Sequence, residues 1–210
     1  MTVQYLALGT YCLLCKALVT CIVLYLTPSI AFDPRGMLRS ISGIMVLQRT
    51  CARFILSVLF CHIYVILLLL AEAYYKSQPL LLPIAALMLS SGIGIACFDV
   101  DTHWEFHFLS LVGYIFLVTA YSNLLALIES KFLYYAIFLD VVTTLFLIWF
   151  FYNLAFRDLY WDSTQTVLEL LWFFGLYAFF SRCCMFLANK ADLAEKYGLS
   201  TDPSMVPYSI

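Results

Sequence analysis

Between Phe98 and His107 the sequence reads Phe-Asp-Val-Asp-Thr-His-Trp-Glu-Phe-His, and no other stretch gathers as many groups able to do chemistry. If a helix begins near Thr102, His103 and His107 share one of its faces while Glu105 points elsewhere. Carboxylates such as Asp99 and Asp101 beside two imidazoles are zinc-ligand types, and a metal-bound water attacks esters and amides. The set is incomplete, because Trp104 and Glu105 follow His103 and no His-Glu-x-x-His occurs; a third imidazole would have to come from His62. Three readings stay open here: a metal site, a polar site gripping a lipid head group, or a loop whose Asp101 or Thr102 caps the next helix.

Four ionisable residues lie inside apolar stretches: Lys16, His62, Asp140 and Glu169. A charge at mid-bilayer costs about 2.5–3.5 kcal/mol on insertion scales, so each needs a partner or a cavity. Lys16 and Asp140 sit at similar depth from the face bearing the termini, which predicts an ion pair between them. A proton or cation pathway through the same two residues is the alternative. Glu169 enters its span from the opposite face and could reach the Asp99–His107 segment.

The connector from Thr27 to Cys51 is too long for a tight link and too apolar for a solvated loop. Were Arg35 to Arg53 one helix, Arg35, Arg39, Arg49 and Arg53 would fall within about 40° of a common line. Such a basic stripe on an apolar body suits an interfacial helix, with Arg35 and Arg39 available to phosphate oxygens. Gly36 and Gly43 weaken a continuous helix, and a re-entrant segment is the other reading.

The elements that must position these residues are apolar runs at about 5–26, 52–74, 80–97, 106–128, 132–152 and 167–187. Each is about the length a helix needs to cross a hydrocarbon core at 1.5 Å per residue. With 64% hydrophobic, 18% aromatic and 11% charged residues, and a mean hydropathy of +0.95, the chain cannot present a water-soluble surface. The expectation is an all-α, polytopic membrane protein: a bundle of six transmembrane helices forming one domain over residues 1–210, with a short polar tail at 188–210. The tail is expected to be helical only at its start, and the N-terminal run is read as a retained span rather than a cleaved signal.

The net charge of −2 shows no basic footprint for nucleic acid. Walker, Gly-x-Gly-x-x-Gly and Gly-x-Ser-x-Gly motifs are missing from the sequence, as is any glycosylation sequon. Loop cations divide five against five between the two faces, so charge does not orient the bundle. The eight cysteines read mainly as apolar packing; Cys12-x-x-Cys15 has redox or metal spacing, and Cys183-Cys184 is open to palmitoylation. Ser90-Ser91-Gly92-Ile93-Gly94 is a small-residue patch for close helix approach. Tyr74, Tyr75, Tyr152, Tyr160 and Trp161 read as interface belts.

Pro28-Ser29-Ile30 in the first connector, Asp101-Thr-His-Trp-Glu-Phe-His107 at the fourth run and Glu169-Leu-Leu-Trp-Phe-Phe-Gly-Leu-Tyr in the sixth together resemble the Frag/DRAM/Sfk group of six-span proteins. That group includes damage-regulated autophagy modulators and a Golgi factor for remodelling the lipid of GPI anchors. The resemblance implies a lipid-associated endomembrane protein, in Golgi or lysosome, with cytosolic termini and with Arg35, Asp101, His103, His107 and Glu169 facing lumen or exterior; the plasma membrane is the other location considered. This first connector is shorter and more apolar than the group's. His103-x-x-x-His107 also has the spacing of a histidine pair in the alkaline ceramidases, but opens the fourth of six runs rather than lying near a seventh.

The leading expectation is therefore a protein that binds or helps remodel membrane lipids, with no assigned catalytic step and no cofactor. Its polar site would comprise Asp99, Asp101, His103, His107 and Glu169, with Arg35 and Arg39. The enzyme alternative is a zinc-dependent lipid hydrolase using His103, His107, Asp101 and His62.

Overall fold

The computed structural model describes residues 2–32, 36, 39–41, 49–98, 103–157 and 162–196. Its helices are α1 (Thr2–Tyr25), the single turn α2 (Pro28–Ala31), α3 (Arg49–Ala73), α4 (Leu81–Cys97), α5 (Trp104–Ile128), α6 (Leu133–Tyr152) and α7 (Ser163–Lys196). A 3₁₀ turn, Ser130–Phe132, leads into α6, and a π turn, Asn153–Arg157, follows it. Among the described residues no strand occurs.

Four stretches are long and apolar enough to cross a membrane: Val3–Tyr25, Trp104–Ile128, Ser130–Tyr152 and Ser163–Lys190. The chain is thus read as an integral membrane protein. Ser57–Ala73 and Leu81–Cys97 are shorter apolar segments. The 17 residues of α4 rise only about 26 Å, a little under the ~30 Å hydrocarbon core.

Helix boundaries follow local chemistry. Pro28 disfavours helix at the residue before it and opens α2 at a first-turn position that needs no N–H donor. Pro83 is tolerated because it lies in the first turn of α4. Helix α7 starts earlier than the apolar run at 167 because the Asp162 carboxylate accepts the Gln165 N–H at 2.8 Å, supplying the cap for a polar first turn.

The helices close a ring in which α1 packs on α7, α7 on α6, α6 on α5, α5 on α4, α4 on α3, and α3 back on α1 and α7. The centre is filled by large side chains, Tyr121, Phe146, Phe179 and Phe180 among them. Close approach to α4 depends on its small residues: a Cβ on Gly92 would stand 2.7 Å from the Phe60 ring of α3, and one on Gly94 would overlap Ser110 of α5. The Ser90–Gly94 patch is therefore the seam by which α4 meets both neighbours.

Several expectations are corrected. The basic stripe needs one helix from Arg35 to Arg53, but Gly36 has φ +76° and Arg39 and Ser40 are not helical, so Arg39 is not in register with α3. Arg39 turns back instead, its Nε donating to Phe32 O at 3.2 Å and its backbone N to Ala31 O at 2.8 Å. Tyr74 is no belt residue: it is buried, its hydroxyl donates to Glu129 Oε1 at 2.7 Å, and Lys190 Nζ lies 5.1 Å from its ring centre. Tyr75 and Tyr152 are exposed, while Tyr160 and Trp161 lie outside the described residues. Cys183 and Cys184 are buried, which favours packing over acylation.

Candidate functional site

Of the polar residues singled out by the sequence, His62, His103, His107 and Glu169 lie among the described residues, and each meets a partner other than the rest. Helix α5 begins at Trp104, and His103 occupies its N-cap with φ −139° and ψ 47°. A non-helical His103 cannot share a helical face with His107. His103 is exposed and meets the Phe98 ring edge-on, whereas His107 is buried and its Nδ1 lies 2.8 Å from Phe98 O. His62 Nδ1 lies 2.9 Å from Val58 O, one turn back on its own helix. Among the described residues no three His, Cys, Asp or Glu side chains converge as a metal-ligand set. Asp99, Asp101 and Arg35, named as site residues, lie outside the described residues.

The Lys16–Asp140 ion pair is also corrected. Asp140 Oδ1 accepts Asn123 Nδ2 at 2.8 Å, and Lys16 is exposed on α1. Similar depth was not enough, because α1 and α6 pack principally on either side of α7 rather than on each other. Asn123 also donates to Thr119 O, and the Thr119 and Thr143 hydroxyls meet at 3.2 Å, so a polar seam joins α5 to α6. In hydrocarbon such interhelical bonds are worth about 0.6–2 kcal/mol each.

Glu169 does find a cavity, but a different one. It is 7% exposed, and its Oε2 accepts the backbone N–H of Ile41 at 2.9 Å. Its partner is thus the first connector, not the His103 turn. That connector is tied down a second time, because Tyr25 donates its hydroxyl to Arg39 O at 2.9 Å. The other carboxylate oxygen of Glu169 has no partner among the described residues.

Beneath Ile41 lies a cavity of about 100 Å³ between α1, α3, α5 and α7. Its walls are overwhelmingly apolar: Leu14, Ile63, Ile115, Leu176 and Phe180 are examples. Four lining side chains carry polar groups: Glu169, Trp172, Tyr114 and Tyr177, the last with its hydroxyl 3.3 Å from Cys15 Sγ. The Trp172 Nε1 and Tyr114 hydroxyl are buried without a hydrogen-bond partner among the described residues, a condition native proteins rarely tolerate without a reason. The two rings meet edge-on at 6.2 Å.

The cavity is ordered along α7. Glu169 lies six residues, about 9 Å, inside the start of that helix, Trp172 one turn deeper, and Leu176 and Phe180 deeper again. Over the roughly 16 Å from Glu169 to Phe180 the lining changes from a carboxylate to mainly apolar side chains, with the Tyr177 hydroxyl held against Cys15. The sequence reading found Glu169 but missed Trp172 and Tyr114, since an aromatic in an apolar run looks like core. The available signal was the Glu169-x-x-Trp172 spacing, which places both side chains on one helical face.

No family model, curated protein or solved structure matched the chain when compared with it.

Proposed function

We propose that this protein is a six-span membrane protein that binds part of a membrane lipid inside its helix bundle, with no catalytic step assigned. The six spans add α3 and α4 to the four long apolar helices, since both close the ring and α4 falls short of the core thickness by only a few Å. The observation that carries lipid binding is the lengthwise gradient of the cavity. A carboxylate stands at its membrane-face end, mainly aliphatic and aromatic walls run toward mid-membrane, and an amphiphile has the same order of parts.

An endomembrane address, in Golgi or lysosome, rests on the resemblance to the Frag/DRAM/Sfk group. Span order and the Glu-led last helix support it, and localisation of the tagged full-length chain tests it. Binding is tested by native mass spectrometry of protein purified in mild detergent, where co-purifying lipid is expected. Leu176→Trp, which fills the apolar end, should abolish that adduct while the protein stays folded. Retention of the adduct in a folded Leu176→Trp protein would place the lipid elsewhere and end this reading.

A further inference from the structure

The outward side of α1 carries a cation that the bundle leaves unserved. Lys16 is exposed there and meets no hydrogen-bond or ion-pair partner among the described residues. The span Val3–Tyr25 centres on Leu14, so Lys16 lies two residues, about 3 Å, past mid-membrane. That leaves about 12 Å to the nearer edge of a ~30 Å hydrocarbon core. Helical side chains lean toward the N-terminus, which for Lys16 is the farther edge, so snorkelling to water points the ammonium the long way. An ammonium held at this depth needs an acceptor at the same depth.

We propose that this face of α1 docks a transmembrane helix of another protein, one that carries a single Asp or Glu near mid-membrane. The surface requires only that α1 cross the membrane and is independent of lipid binding in the cavity. Of the four long apolar helices, α1 is the least buried within the bundle. Gly9, Cys12, Lys16 and Thr20 are all exposed and, spaced by three or four, share one face. Small residues around the lysine let a second backbone come close enough for a short carboxylate side chain to reach it. Gly9 marks the approach: a Cβ there would meet nothing within 4 Å, whereas one on Gly92 or Gly175 would run into a neighbouring helix.

Other occupants fit worse. Anionic lipid head groups lie outside the hydrocarbon core and do not reach this depth. A helix offering only Asn or Gln supplies an acceptor but leaves the charge uncompensated. A second copy of this chain is poorly equipped: Glu169 is buried against Ile41, and Asp140 is already bonded to Asn123 on a helix whose outer side carries the bulky, exposed Ile137 and Val141.

The test uses full-length protein with a donor fluorophore at its N-terminus, reconstituted in phosphatidylcholine vesicles. Acceptor-labelled polyleucine helices of about 20 residues, with Glu, Gln or Leu at the central position, are titrated in and energy transfer is read. The Glu helix should associate about ten-fold more strongly than the Leu helix, with Gln between them. Lys16→Met should reduce the Glu helix to the level of the Leu helix, and Lys16→Arg should retain the preference. Gly9→Ile, which holds the two backbones apart, should weaken the Glu helix at least about three-fold. Melting temperatures should change little, since both side chains point out of the bundle; should Lys16→Met unfold, Lys16→Gln is expected to show the same loss.

Equal association of the Glu and Leu helices with the unaltered protein, or a Glu preference that survives in folded Lys16→Met, overturns the proposal. So does energy transfer between donor- and acceptor-labelled copies of the protein that Lys16→Met abolishes, because the lysine would then be covered by a second copy of this chain.

Discussion

The seam between α4 and α5 makes a quantitative prediction about Gly94. A methyl group at this position would overlap Ser110 Oγ and stand 2.9 Å from Ser110 Cβ. Rotating the serine side chain removes the first clash but not the second, because Cβ is fixed by the backbone. The helices must then separate by about half an ångström or more, and overpacking of this kind costs about 1–3 kcal/mol. Gly94→Ala should accordingly lower stability by that amount, although alanine is the better helix former. Paired with Ser110→Ala, which retains Cβ, it should be rescued only in part. Paired with Ser110→Gly, which removes both clashing atoms, it should show a favourable coupling of about 1–3 kcal/mol in a double-mutant cycle. The cycle removes the intrinsic cost of a helical glycine, about 0.5–1 kcal/mol, because that cost appears in the single variant too. The assay is equilibrium unfolding in mixed micelles, followed by circular dichroism. Equal rescue by Ser110→Ala and Ser110→Gly, or no loss in Gly94→Ala alone, would show that the two helices do not approach as closely as the structure has them.

Glu169→Ala should free the first connector, so that a Ser40→Cys variant reacts several-fold faster with a thiol reagent in the Glu169→Ala background, read by peptide mapping at that position; an unchanged rate would mean the Ile41 bond does not hold the segment. Asp162→Ala removes both the α7 cap and the acceptor of the Trp149 indole, with Nε1 to Oδ1 at 3.0 Å, and should cost about 2 kcal/mol and alter tryptophan emission. Asp140→Ala and Asn123→Ala should couple by 0.5 kcal/mol or more, whereas Asp140→Ala and Lys16→Ala should be additive to within about 0.5 kcal/mol. A zinc titration should leave the melting temperature unchanged, because His103 and His107 do not share a face; saturable stabilisation lost in His103→Ala would contradict that geometry.

Sequence alone determined the helices and their environment. Apolar runs of the required length are a local property, and α1, α3, α4, α5 and α6 begin and end within a few residues of those runs. It also determined the role of Gly92 and Gly94, because small residues in an apolar helix mark where a neighbour comes close. Pairing between helices was a different matter. Depth along the membrane can be counted from residue numbers, but azimuth and neighbour cannot. So Lys16 and Asp140, level with each other, are separated by α7, and Asp140 finds Asn123 on the next helix instead. The histidine pair failed for a related reason: whether i and i+4 share a face depends on where the helix starts, and a shift to Trp104 leaves His103 outside it. Glu169 was legible as a buried carboxylate needing a partner. That this partner is a backbone N–H of the first connector, and that Trp172 and Tyr114 join it around one cavity, came only from the ring closure that sets α1, α3, α5 and α7 about a common space. Burial can make a polar atom costly to leave unpaired, but only the assembled bundle decides which atoms are left so.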